Sequence, residues 1–135
     1  IDVSAGGSGY LHNNGSFQAV TNSTSMRIAT TASANDSVYI GSTLYIDGGL
    51  GAGLIREITS YTGATRTVTV NTAFSTSPNT SSTYIVSPKV AISGDGTGAA
   101  AYSNVVTGGS AVNYINMIST GTGYTNATVT ISAPE

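Results

Sequence analysis

Apolar residues along this chain recur at every second position over short runs, never at the three-to-four spacing of a helix. Glycine also interrupts the chain too often for helices of ten or more residues. Strands are therefore the expected element. Over Ser25–Thr30, Met26 and Ile28 alternate with Arg27 and Ala29, and shorter runs follow at Ser37–Ile40 and Thr43–Asp47. The stretch Asp47–Gly53 then breaks the pattern with four glycines, as a turn needing positive φ would. Leu54–Tyr61 and Thr65–Asn71 flank Thr62-Gly63-Ala64, the spacing of a hairpin with a three-residue loop and Gly63 free to take the left-handed position. In the second arm Arg66, Val68 and Val70 point one way and Thr65, Thr67 and Thr69 the other, which predicts one core face and one threonine-covered face. Phe74 continues the core face. A loop at Ser75–Ser82 carries Pro78 and Asn79, Thr83–Val86 is a further strand, and Pro88 reads as a boundary.

Beyond Lys89 the strands shorten and glycine clusters separate them. Val90 and Ile92 precede a turn at Gly94–Gly98, Ala99–Val106 follows, and a turn at Gly108-Gly109 leads into Ala111–Ile118. There Val112, Tyr114 and Ile118 are expected on one face, and Thr128–Ser132 closes the chain. The expected fold is all-β, with short antiparallel strands in two small β-sandwich or open-barrel units, residues 1–88 and 89–135. A faint echo links Ile1–Tyr10 (IDVSAGGSGY) to Ile115–Tyr124 (INMISTGTGY). On that reading residues 1–10 end a preceding module, unless Gly-x-Gly-Tyr is merely a common turn.

Composition narrows the functional classes. Charged residues make up 7% of the 135, against about 25% in ordinary domains. Serine, threonine, asparagine and 17 glycines take their place. Such composition also suits a disordered linker, but the 8 tyrosines and the alternating valines and isoleucines argue for folding. A net charge of -2 is too small to steer the chain to nucleic acid or a membrane surface. Without cysteine there is neither a disulfide framework nor a thiolate metal site. No apolar run reaches the roughly 18 residues of a membrane span. The start at Ile1 reads as a processed product or a piece excised from a longer polypeptide.

Candidate chemistry is sparse. Gly94-Asp95-Gly96-Thr97-Gly98 lacks the G-x-G-x-x-G spacing of a dinucleotide loop and reads as a tight turn. Asp95 could ligate calcium, but that ion takes six to eight oxygens and only four aspartates exist in the chain. A nucleophilic site would need His12, the only histidine, with a serine and Asp2, Asp36 or Asp47, yet no serine stands in a G-x-S-x-G elbow. Glu57 is expected to pair across the hairpin with Arg56 or Arg66. No catalytic, cofactor-binding or metal-binding residues are assigned, and an enzyme is the least favoured class. The tyrosines Tyr39, Tyr45, Tyr61, Tyr84, Tyr102, Tyr114 and Tyr124 fall at alternating positions and suit small β cores. The competing reading is an aromatic sugar-binding platform, for which Tyr39, Tyr45, Tyr102 and Tyr114 are the candidates. Asn-x-Ser/Thr sequons begin at Asn14, Asn22, Asn35, Asn79 and Asn126, as chance allows in so asparagine- and threonine-rich a chain.

The stretch Gly41–Val86 contains Gly49-Leu50-Gly51-Ala52-Gly53, then Arg56–Val70 (REITSYTGATRTVTV), then Ser82-Thr83-Tyr84-Ile85-Val86. It resembles a β module of tailed-bacteriophage virion proteins, tail fibres above all, patterned as a glycine-rich turn, an I-x-x-Y-x-G-x-T hairpin, a V-x-V strand, a proline loop and an S-T-Y-x-I strand. Val90–Ser132, with SGDGTGAAA and GTGYTNATVTI, is similar to a second glycine-rich module of such proteins. Leu54 departs from the polar residue frequent there, and Thr125-Asn126-Ala127 replaces a frequent proline after the Gly-x-Gly-Tyr tyrosine. The resemblance implies architecture in a virion, assembled with other virion proteins and copies of itself, a trimer by analogy with fibres. It implies no chemistry. The competing expectations are a receptor- or carbohydrate-binding module facing host surface glycans, on a phage or as a bacterial surface adhesin, and a capsid decoration protein.

Overall fold

A computed structural model of the chain describes residues 3 and 5–132. The fold is all-β, without helices among the described residues. Contacts divide it into two units, one His12–Val86 and the other the described residues up to Leu11 together with those from Ser87 on.

The first unit is a curled antiparallel sheet, a half-barrel. Its strands are β1 (Asn13–Ser16), β2 (Ala19–Val20), β3 (Ser25–Arg27), β4 (Ser42–Gly48), β5 (Ile55–Thr62), β6 (Thr67–Val70) and β7 (Thr83–Pro88), in the order β1-β7-β4-β5-β6-β3-β2. Alternation decides which side chains go inside. Leu44 and Ile46 of β4, Ile58 and Tyr61 of β5, Val68 and Val70 of β6 and Tyr84 and Val86 of β7 are all buried, with Phe17, Met26, Ile28, Tyr39 and Phe74 filling the remainder. The curl comes from β5. Its first residues pair with β4, Thr43 opposite Glu57 and Tyr45 opposite Ile55, and its last pair with β6. A bulge between Ile58 and Ser60 separates the two halves and turns the strand from one partner to the other.

Three features of this unit depart from the sequence pattern. Ser37–Ile40 is a run of turns, with Ile40 N–H bonded to Ser37 O (3.2 Å) and Ser42 N–H to Tyr39 O (3.0 Å). Its two apolar positions, Val38 and Ile40, are too few to fix a strand, and Ser37 takes positive φ (66°). The hairpin loop has four residues, Gly63–Arg66, closed by Thr62 opposite Thr67, and Arg66 rather than Gly63 holds the left-handed position (φ 54°). Gly63 is required for space: a Cβ there would lie 2.2 Å from Ala34 O. The expected ion pair between Glu57 and Arg66 is not a register pair, since Arg66 sits in the loop and Glu57 near the far end of β5. Arg66 Nε donates to Ala32 O (3.3 Å), and Arg56 lies over the Phe74 ring at 5.3 Å from its centroid.

The connection from Ile28 to Gly41 joins β3 to β4, which are two strands apart in the sheet. Backbone groups in so long a loop need partners. Tyrosines supply several of them. The buried Tyr84 hydroxyl accepts from Ala29 N–H (2.8 Å) and donates to Asn13 Oδ1, while Asn13 Nδ2 donates to Thr31 Oγ1 (3.1 Å). Tyr39 and Tyr61 pack edge to face with centroids 4.7 Å apart; the Tyr39 hydroxyl accepts from Ser33 N–H (3.0 Å) and the Tyr61 hydroxyl donates to Ser33 O. Asp36 Oδ1 accepts from Gly63 N–H (2.8 Å), fastening the loop to the hairpin that Gly63 lets approach.

The second unit contains β8 (Val90–Gly94), β9 (Thr97–Val105), β10 (Val112–Thr122) and β11 (Ala127–Ile131), paired β9 with β10 and β8 with β11. Ala101, Val105, Val112 and Ile115 are its buried apolar residues, and the buried Ser103 Oγ donates to Pro88 O (2.6 Å). The sequence echo has a conformational counterpart. Gly7 and Gly121 have φ of 68° and 67°, and Gly9 and Gly123 have 84° and 79°. In both segments the following tyrosine folds back over the first glycine. A Cβ added at Gly7 would lie 3.4 Å from the Tyr10 ring, and one added at Gly121 would lie 2.9 Å from the Tyr124 ring.

The tyrosine clamps make two predictions. Tyr84→Phe strands the part-buried Ala29 N–H and the buried Asn13 carboxamide oxygen and lowers unfolding stability in urea by about 1–3 kcal/mol; a neutral result would show that water replaces the hydroxyl. Burial raises the Tyr84 phenol well above its ordinary range, and burial with Tyr39 nearby raises Tyr61 to about 12 against the pull of Arg66. Because both folded-state values are raised, their contribution is complete below pH about 10; that of Tyr61 is lost as pH rises through about 12, and that of Tyr84 at higher pH still. Alkaline titration followed by circular dichroism and tyrosinate absorbance should therefore show these two phenols ionising together with unfolding.

Candidate functional site

The four candidate tyrosines do not form one platform. Tyr39 is 3% exposed, with its ring against Tyr61 and its hydroxyl engaged by Ser33, so it offers no open face for stacking and belongs to the core of the first unit. Tyr45 is half-buried on β4 of that unit, opposite Ile55. Tyr102 and Tyr114 lie in the second unit, on β9 and β10.

There the ladder corrects the predicted face. Simple alternation puts Tyr114 beside Val112 and Ile118. In the structure Val112 opposes Val105 and Tyr114 opposes Asn104, so Asn113 is an extra, bulged residue. The bulge shifts the phase: Val112 and Ile115 are buried, and Tyr114 is 40% exposed. A second irregularity between Met117 and Ser119 shifts it again at Ile118. Tyr102 opposes Asn116, so Tyr102, Asn104, Tyr114 and Asn116 share the face opposite Ala101, Ser103, Val105 and Ile115. The two tyrosines are diagonal neighbours, a separation of roughly 7–8 Å between Cα atoms. Asn104 Nδ2 donates to Asn113 Oδ1 (2.8 Å), which holds both carboxamides beside the Tyr114 ring position.

Asp95 has a structural partner set. Its Oδ1 accepts from Thr125 N–H (3.0 Å) and Asn126 N–H (3.1 Å), and its Oδ2 accepts from the Thr125 hydroxyl. The carboxylate thus clips the turn after β8 to the segment before β11. Thr125 supplies two of the three donors. Among the described residues no three His, Cys, Asp or Glu side chains cluster to hold a metal. Asp36 is used by Gly63, Asp47 is exposed on β4, and His12 is half-buried at the start of the first unit. Asp2 lies outside the described residues.

No family model, curated protein or solved structure matches this chain.

The Asp95 clip carries a pH prediction. Hydrogen bonds from the Thr125 hydroxyl, Thr125 N–H and Asn126 N–H lower its pKa from 3.8 to about 2. A depressed folded-state value means the contribution is complete above the ordinary pKa and disappears as pH falls through the folded one. The Thr125 and Asn126 amide resonances should therefore titrate with a midpoint of about 2 and become insensitive to acid in Asp95→Asn. A midpoint at the ordinary aspartate value would rule the clip out.

Proposed function

We propose that this chain is a structural component of a bacteriophage virion, part of a tail fibre or another appendage, acting through assembly with copies of itself and other virion proteins. What carries the reading is that the residues behind the resemblance act as architecture. Buried Ser82 donates to Leu50 O (2.7 Å) and accepts from Asn79 N–H (3.1 Å), tying the glycine-rich turn to the proline loop. Tyr61 and Tyr84 are the hydroxyl clamps of the half-barrel, and Tyr124 packs over Gly121 of its own turn and Gly96 of the turn between β8 and β9.

The second unit supplies a reason to associate. In the β8–β11 pair Val90 opposes Ile131 and Ile92 opposes Val129, which places four apolar side chains on one face. None of the four is fully buried, and Val129 is 39% exposed. Covering such a face is the ordinary use of a subunit contact. With so few charges, association is driven by apolar burial and main-chain pairing and is insensitive to salt.

Multi-angle light scattering on the purified chain tests this directly. The expected result is a trimer at micromolar concentration, unchanged by salt and weakened by Val129→Asp. A monomer at every concentration would contradict it.

A further inference from the structure

We infer that the β9–β10 face bearing Tyr102, Asn104, Tyr114 and Asn116 binds a neutral oligosaccharide. This goes beyond the assembly reading and does not depend on it, because the face lies within one unit and is complete in a single chain.

The bulge at Asn113 is the first support. It lifts Tyr114 from the core side of β10 and sets it on the side of Tyr102, although packing in so thin a unit would favour another buried ring. Bulges that re-aim a side chain are concentrated beside binding sites. The carboxamides are the second. Asn104 and Asn113 orient one another through their 2.8 Å hydrogen bond. That bond uses one N–H of Asn104 and one lone pair of Asn113, so each carboxamide keeps both donor and acceptor capacity. Groups that both donate and accept match the hydroxyls of a sugar, and a tyrosine ring matches the apolar face of a pyranose. Tyrosine and asparagine also lose little conformational entropy when they bind, which suits recognition on an open surface.

Charge selects the sugar class. Lys89, bridged to Tyr102, and Asp95 are the only charged residues described in this unit. The Asp95 carboxylate already has three donors. A uronic, sialylated or sulfated glycan would find no cluster of cations, so neutral hexose chains are the fitting class.

The test is an NMR titration of the ¹⁵N-labelled full chain with maltoheptaose, cellohexaose and a mannan oligosaccharide, with heparin as the acidic comparison. The inference predicts saturable shifts for at least one neutral sugar, confined to residues 102–104 and 113–116. Tyr114→Ala, at an exposed position, and Asn104→Ala should each weaken the affinity roughly tenfold, as loss of one stacking or bidentate contact does. Tyr45→Ala, in the other unit, should leave it unchanged. Absence of shifts with every neutral sugar at millimolar concentration would overturn the inference. So would binding that survives Tyr114→Ala, a preference for heparin that salt abolishes, or shifts at this face that grow with protein concentration alone.

Discussion

A sheet whose third and fourth strands are separated by two others must carry a long connection, and in this chain residues 28–41 run that distance without regular structure of their own. The backbone groups of such a segment have to be paired. With charges at 7% of the sequence, few ionic side chains exist to do it. Buried phenols do it instead: Tyr84 takes Ala29, Tyr39 and Tyr61 take the two sides of Ser33, and each ring fills apolar volume while its hydroxyl satisfies the loop. The half-barrel depends on this double use, because the same residues close the core and fix the chain that crosses it. The approach of Gly63 to Ala34, the Asp36 contact and the Arg66 bond to Ala32 all follow from the loop being held there.

Much of this architecture is legible from pattern. Leu44, Ile46, Ile58, Val68, Val70, Tyr84 and Val86 stand at every second position of their strands, and all of them are buried. The strands that escape sequence reading are those with no such pattern. Asn13–Ser16 has no apolar side chain and becomes β1 only through its partner β7, a long-range pairing that local composition cannot encode. Ser37–Ile40 shows the opposite error, an apolar pair that serves a turn. For the site, the decisive feature is a single extra residue. Tyr102 and Tyr114 are both readable as candidates, but their shared face depends on the bulge at Asn113, and a bulge inverts an alternation without altering the residues that suggest it. Tyr39 fails as a candidate because the fold brings Tyr61, remote in the chain, against its ring while the nearby Ser33 takes its hydroxyl.

The repeated Gly-x-Gly-Tyr element sharpens the comparison between the chain's parts. Two glycines with matching positive φ, each pair followed by a tyrosine folded over the first, form one structural unit used twice. Such small units bury little apolar area alone and gain stability from neighbours. It is consistent with the proposed role as one part of a larger assembly, with exposed faces that other subunits or ligands would meet.

The most direct test of that account is the protein's place in an intact particle. Quantitative mass spectrometry of purified virions, combined with cryo-electron microscopy of their appendages, should find the chain at a fixed stoichiometry within a fibre or appendage density that the half-barrel fits. Its absence from the particle, or a presence that varies and washes away with salt, would contradict the account.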